Sequence, residues 1–340
     1  MRILVTGATG FVGNVLLAEL PKTFPEAEIS AFVLPDDPHQ IRLRQDKKSR
    51  IIEGDITKRE DVENAVEGQT HVIHLAGLIS YWKKDTKKLM AVNKTGVENI
   101  VEACLKHQVQ KLVHISSVGA FGFKKDGTLS TEETPFNWPK SFSYMVSKYE
   151  GQKIVEQAAK EKGLKAIILN PASIMGPGDP NISTPHNQLY DRIYKGTVLG
   201  CFRGGLAVVD VRDLVSIIIK ALSSERHGEN YLVVGANLEY SQVLKAIGRQ
   251  AKKKVYPFPV PAFLLSAAGF ILELISSVTN RKPLLTLAYG RLSGWKTYYS
   301  SQKSIKEFKH SYISFEKTIK DGCEYYEKSF LPRSAVKEQR

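Results

Sequence analysis

Tyr144 and Lys148 stand four residues apart in Tyr-Met-Val-Ser-Lys, within a stretch from Ser143 to Lys162 that reads as one long helix stopped by Gly163. Residues four apart on a helix share a face. A free phenol, with a pKa near 10, is a poor base at neutral pH. An ammonium within about 4–6 Å can lower that by about 1–3 units. Such a pair can exchange a proton with an alcohol or a ketone. Taken alone, the spacing also fits an ordinary surface pair. Ser116-Ser117 closes the apolar run that begins at Lys111. A hydroxyl there can hold a substrate oxygen beside the tyrosine, and a pair of turn serines is the plain alternative. Three elements must therefore meet: a strand ending at Ser116, the helix carrying Tyr144 and Lys148, and whatever holds the second reactant.

The second reactant is addressed at the start of the chain. Arg2 to Val5 reads as a buried strand, Thr6-Gly7-Ala8-Thr9-Gly10-Phe11-Val12-Gly13 follows, and Val12, Leu16, Leu17 and Leu20 then recur at helical spacing. Strand, glycine turn and helix are the context of a dinucleotide fingerprint. One glycine permits the turn, one lets backbone approach a pyrophosphate, one lets the helix pack closely, and the helix N-terminus offers free N–H groups to phosphate. The spacing is Gly-x-x-Gly-x-x-Gly. Strands are expected at Glu28–Leu34, Arg50–Glu53, His71–Leu75, Lys111–Ser116 and Lys165–Asn170, with helices at Lys58–Glu67, Thr86–His107 and Ser143–Lys162. Strands alternating with helices mean βαβ units and a parallel sheet covered on both faces. The expected fold is α/β: a Rossmann-type, doubly wound parallel sheet with a smaller, mostly helical C-terminal substrate lobe. The dinucleotide-binding domain spans 1–170 and regains the chain at 206–236, where Ala207–Val211 and Tyr231–Val234 read as strands and Leu214–Leu222 as a helix. Segments 171–205 and 237–330 form the substrate lobe, and 331–340 read as a flexible tail.

Composition narrows the class. The chain has 340 residues, 42% apolar and 24% charged, and a net charge of +13, ordinary for a soluble globule apart from the charge. The lysines are scattered, at Lys47-Lys48, Lys83-Lys84, Lys87-Lys88, Lys124-Lys125 and Lys252–Lys254. With neither helix-turn-helix nor zinc-finger spacing, no nucleic-acid partner is expected. Cys104, Cys201 and Cys323 are odd in number and far apart, which gives neither a disulfide framework nor metal spacing. The apolar run before Thr6 is only three residues, Ile3 to Val5, so no signal peptide is expected, and the expected location is cytoplasmic.

Glycine loop, serine and tyrosine–lysine pair, in this order, resemble the short-chain dehydrogenase/reductase superfamily in its extended branch, the NAD-dependent epimerase/dehydratase family. The resemblance covers nearly the whole chain. It implies catalytic roles for Ser117, Tyr144 and Lys148: the tyrosine as proton donor or acceptor, the lysine lowering its pKa and bonding the nicotinamide ribose. It implies a cofactor site of Gly7, Thr9, Gly10, Phe11, Val12 and Gly13, with Asp55 and Ile56 at the adenine. Leu75, Ala76 and Gly77, from His74-Leu75-Ala76-Gly77, would lie along the cofactor, with His74 structural. Asn93 would support the site, unless it only packs its helix. Pro171, Ala172, Ser173 and Ile174 would lie against the nicotinamide. Val209-Asp210-Val211-Arg212-Asp213 matches a further motif, with Asp213 expected to cap the next helix. Asp55 can equally cap the helix after it. The cofactor is NAD or NADP. Reductases of this branch that use NADP carry an arginine at the end of the second strand; Leu34 stands here, and Asp36 would repel a 2′-phosphate while accepting from a ribose hydroxyl, which favours NAD, although Arg42 and Arg44 are near. The family's long helices pair across a two-fold axis, which implies a homodimer through 86–107 and 143–162.

Leu169-Asn170-Pro171 resembles dihydroflavonol reductases and 3β-hydroxysteroid dehydrogenases more than nucleotide-sugar epimerases. The apolar stretch Pro261–Val278, interrupted by Glu273, resembles the C-terminal part of those enzymes. It is expected as a buried or lid helix of the substrate lobe, with Phe263, Leu264, Leu265, Phe270, Ile271, Leu272, Leu274 and Ile275 offered to a ligand. The alternative is peripheral membrane contact through 261–278. The reading that follows is a hydride-transferring oxidoreductase acting on a rather apolar small-molecule alcohol or ketone. The alternatives are a nucleotide-sugar epimerase/dehydratase, with His186 and Arg203 as candidate diphosphate cations, and a cofactor-binding sensor or scaffold without catalysis.

Overall fold

The computed structural model describes residues 1–46, 49–182, 184–198 and 200–331; the expected tail at 332–340 lies outside them. Strands β1 (Arg2–Thr6), β2 (Glu28–Val33), β3 (Arg50–Glu53), β4 (His71–His74), β5 (Lys111–Ile115) and β6 (Ala166–Pro171) alternate with helices α1 (Phe11–Thr23), α2 (Gln40–Asp46), α3 (Arg59–Val66), α4 (Thr86–Met90), α5 (Gly96–Lys106) and α6 (Ser143–Lys162). A π-helical turn, Ala91–Thr95, joins α4 to α5, so the expected helix 86–107 is continuous but widened at its middle. The strands pair in parallel, with Ile3 opposite Ile29 on one side and His71 on the other.

β1 explains the layering. Its residues are apolar in succession because both faces are covered. Ile3 and Val5 face a core shared with Leu16 and Leu20 of α1, while Leu4 faces the opposite core with Val62, Ile100 and Val155 of α3, α5 and α6. β2 lies on one side of β1 and β4 on the other. The strand order reverses there, and the crevice outside the strand C-termini at that point is the expected ligand site of such a sheet.

Beyond β6 come β7 (Ser173–Met175), α7 (Gln188–Tyr194), β8 (Cys201–Phe202), β9 (Gly205–Asp210), α8 (Val211–Leu222), β10 (Glu229–Val233), β11 (Ala236–Glu239), α9 (Tyr240–Gln250), β12 (Pro259–Val260), α10 (Ala262–Thr279), α11 (Leu287–Leu292), β13 (Lys296–Thr297), α12 (Gln302–Phe308) and α13 (Phe315–Phe330). The large sheet has seven strands in the order β10-β6-β5-β4-β1-β2-β3. The strand expected at 207–211 is β9, and it belongs to a second sheet with β7, β11 and β13. Ala207 and Val209 of β9 are buried in the core that holds Ile3, Val5 and Leu16, and α8 then packs beside α1. Asp210, not Asp213, caps α8, its carboxylate accepting from the Arg212 N–H at 2.8 Å. Asp213 is buried in the first turn of α8, bonded to His310 Nε2 at 2.9 Å and to the Ile313 N–H at 3.0 Å. Its carboxylate is committed to those partners, and Asp210 holds the cap. The three cysteines are free and buried.

Candidate active site

The serine, tyrosine and lysine meet at the end of β5. Ser117 follows that strand and caps a short turn by accepting from the Gly119 N–H at 3.1 Å. Its backbone is held from the next strand: Asn170 donates to the Ser117 carbonyl at 3.0 Å and to Gln152 Oε1 at 2.6 Å. Tyr144 lies in the first turn of α6. One turn later Lys148 is buried and donates from Nζ to the Ile115 carbonyl at 2.9 Å. Burial lowers its pKa from an ordinary 10.5 to about 8. Burial raises the Tyr144 phenol, and a hydrogen bond with Ser117 draws it back. The expected lowering by Lys148 is not seen in this arrangement, because the ammonium is aimed at the strand carbonyl and Ser117 is the group acting on the phenol.

Asn93 sits in the π-turn. It accepts from the Leu78 N–H at 2.8 Å, and donates to the Leu78 carbonyl and to Ser147 Oγ, both at 2.9 Å. It thus ties the segment after β4 to α6 without lining the cavity, which makes it a positioning residue. His74 is bonded to Thr6 Oγ1 at 2.7 Å and stacked on His114. Burial lowers its pKa to about 3, so it is neutral at pH 7.

The glycine loop is built to leave backbone bare. Gly7 has φ of +66°, which favours glycine, and a Cβ there would lie 2.8 Å from the Ala76 nitrogen. A Cβ on Gly13 would lie 2.5 Å from the Gly7 carbonyl oxygen, so this glycine closes the loop on itself. Gly10 has far more room, its nearest neighbour being the Gly7 oxygen at 3.3 Å. Gly10 is also the N-cap of α1, and no side chain caps that end, leaving N–H groups for an anion.

One cavity of about 500 Å³ joins these parts. Gly7, Gly10, Phe11, Val12, Gly13, Leu75, Gly77, Ser117, Tyr144, Lys148 and Pro171 to Ile174 line it. Other expected cofactor residues stand apart. Ala76 and Thr9 support the loop from behind: Thr6 Oγ1 accepts from the Ala76 N–H at 3.1 Å, and Thr9 Oγ1 donates to Asp37 at 2.6 Å. Asp36 is exposed. The turn after β2 thus presents Asp37 to the glycine loop, while Asp36 faces solvent. Asp55 Oδ1 accepts from the Thr57 N–H and hydroxyl, both at 2.8 Å, an Asx-type start to α3. Ile56 is buried against Gly96.

The far end of the cavity was not legible beforehand. Tyr81 meets Tyr144 edge-on with ring centroids 5.9 Å apart and Tyr289 at 4.9 Å. Tyr240, Trp138, Leu206 and Leu292 complete this wall. No sequence signal joins positions 81, 138, 240 and 289; the tertiary fold does. None of the side chains of 261–278 expected to face a ligand lines the cavity, because α11 stands between. His186 does line it, but burial lowers its pKa to about 4, so it is neutral at pH 7. Arg203 is exposed on the surface. Among the described lining residues Lys148 is the sole lysine or arginine.

Fold and cavity together define a Rossmann protein with a serine–tyrosine–lysine group at the mouth of its glycine loop. Residues 3–235 match the model of the NAD dependent epimerase/dehydratase family, and the chain belongs to that family. It is similar to a putative dihydroflavonol 4-reductase of Synechocystis, 24% identical over 95% of this chain and 94% of the relative. It is also similar to a UDP-glucose 4-epimerase of Vibrio cholerae, 22% identical over 92% of this chain and 95% of the relative. Among solved structures, that of gox2253 superposes with a TM-score of 0.82 at 26% identity, covering 98% of this chain and 99% of that one.

Proposed function

We propose that the protein is an NAD(P)-dependent oxidoreductase that interconverts a secondary alcohol and a ketone on an apolar small molecule. The observation that carries this reading is the cavity wall beyond Tyr144: aromatic, with no cation besides Lys148. A diphosphate buried there would go uncompensated, which is costly, whereas each apolar side chain covered by a ligand contributes about 1.5–3 kcal/mol. The cofactor site is supported by a loop where added Cβ atoms would clash, an uncapped helix N-terminus, and the buried Ser116 hydroxyl, which lines the cavity without a partner. Bound there, a nicotinamide supplies or accepts the hydride. Ser117 holds the substrate oxygen, and Tyr144 gives it the phenolic proton on reduction or takes a proton on oxidation. Lys148 binds the ribose side and lowers the phenol's pKa once it turns from the Ile115 carbonyl. Asp37 favours NAD, since a 2′-phosphate near its carboxylate is repelled.

The second reading, a nucleotide-sugar epimerase, draws on the Vibrio relative. Tyr144→Phe tests the reading at the acid–base group. The ring packing is retained, so cofactor affinity and melting temperature should hold, while turnover of an apolar ketone falls by roughly 10²–10⁴-fold. Unchanged turnover removes Tyr144 from the chemistry.

A further inference from the structure

α10 is an inside-out helix. Phe263, Leu264, Phe270, Ile271, Leu274, Ile275 and Val278 are all at least half exposed, Phe263 at 71% and Val278 at 84%. They recur at spacings of three and four and so form one outer stripe. The inner stripe is small or polar. Gly269 is packed so closely that a Cβ would lie 2.4 Å from the Thr286 carbonyl oxygen, and Gly290 of α11 meets Leu265 in the same way at 2.6 Å. Ser276 bonds the Arg281 carbonyl at 2.6 Å, and Glu273 accepts from the Leu287 N–H at 3.3 Å. The one carboxylate of the segment thus points into the protein, with Leu265 and Leu272 half-buried beside it, while seven of its large apolar side chains point out. A contiguous apolar patch of this kind marks an interaction surface.

The sequence around the stripe is basic. Residues 251–292 contain six cations, Lys252, Lys253, Lys254, Arg281, Lys282 and Arg291, against the single acid Glu273. Lysine 84 adds another at the C-terminal end of α10, bonded to Asn280 Oδ1 at 2.8 Å. Tyr256 and Phe258, 80% and 69% exposed, lie just before the helix. An apolar face flanked by cations and aromatic rings is complementary to a bilayer with anionic headgroups.

We infer that α10 is a membrane-docking helix: its Phe263–Val278 face inserts into the interfacial zone of an anionic bilayer, with the flanking lysines and arginines on the headgroups. By length and composition α10 could also cross a membrane. Its 18 residues reach about 27 Å, short of a hydrocarbon core of about 30 Å, and its inner stripe is committed to α11. It therefore lies in the surface. Tyr289 and Leu292 of α11 line the cavity, so the docked bilayer would sit one helix away from the aromatic wall. The docking does not depend on which reaction the site performs.

The test uses the full chain and sedimentable vesicles, either pure phosphatidylcholine or equimolar phosphatidylcholine and phosphatidylglycerol. The protein should bind the anionic vesicles much more tightly. Ile271→Glu with Leu274→Glu should weaken that binding at least tenfold, since each apolar side chain lost to the bilayer is worth about a decade, with melting temperature and cofactor affinity retained. Phe270→Trp, in the otherwise native chain, should shift its emission to the blue on the same vesicles; this reports insertion even if the double variant fails to fold. No vesicle binding overturns the inference. So does equal binding by the folded double variant, which would mean adsorption by charge alone. A native chain that ignores vesicles but forms a dimer dissolved by the double variant would make the stripe a contact between copies, and would overturn it too.

Discussion

Lys148→Met should stabilise or leave unchanged the fold while disabling the site. Lys148 is buried, and its pKa is lowered from 10.5 to about 8 because burial penalises the ammonium. A drop of that size corresponds to about 3 kcal/mol. The sign follows from proton uptake. Between pH 8 and 10.5 the unfolded chain keeps the proton that the folded chain has released, so stability rises with pH across that window, and the penalty is complete below it. Methionine fills much the same volume without a charge. Against this, the Ile115 carbonyl loses the donor now 2.9 Å away, which costs about 1–3 kcal/mol if nothing replaces it. At pH 7 the variant should therefore melt level with the parent or a few degrees above it, at roughly 2 °C per kcal/mol for a chain of this size. As pH is raised from 8 to 10.5 the parent should gain on the variant by about 3 kcal/mol. Turnover should fall and its pH profile move alkaline, because the phenol loses its cation. The assay is a pair of melting series across pH, beside the pH–rate profile. A variant that melts well below the parent at pH 7, by an amount independent of pH, would refute the reasoning and make Lys148 a stabilising element of the core.

Two further pairs of substitutions separate roles within the cofactor site. Gly10→Val, whose Cβ would lie 3.3 Å from the Gly7 oxygen, should cut cofactor affinity with a smaller loss of melting temperature than Gly13→Val, which drives a Cβ to 2.5 Å from that oxygen and should lower both, as cofactor titration and melting would record. Asp37→Asn should shift the ratio of kcat/KM for NADP over NAD upward, whereas Asp36→Asn at its exposed neighbour should leave that ratio unchanged; the opposite pattern would return the role to Asp36.

Legibility followed how local each signal was. The loop Thr6–Gly13 and helix 143–162 were readable because their function is written in backbone demands and in a spacing of four. The contact of Asp37 with Thr9 was not legible, because the rotation of the turn after β2 decides which of two adjacent acids faces the loop. The wall of Tyr81, Tyr240 and Tyr289 comes from three separate parts of the chain, so no local pattern announces it. Pro261–Val278 was expected to be buried, or a lid, because apolar composition alone does not say which side of a helix faces in. The signal for its orientation lies in Ser266, Gly269, Glu273 and Ser276, at spacings of three, four and three. That small and polar stripe packs on α11 and leaves the apolar one outside.

The proposed reaction is net hydride transfer to an apolar ketone, as opposed to the transient oxidation and return by which an epimerase inverts a sugar carbon. The direct measurement follows nicotinamide absorbance and product together, with the purified protein offered NADH or NADPH plus a panel of apolar ketones, and separately UDP-glucose or UDP-galactose with catalytic NAD. Reduced cofactor should be consumed one for one with ketone, and UDP-sugars returned unchanged. Appearance of the C4 epimer, with no net change in cofactor and no ketone reduced, would contradict the proposed reaction.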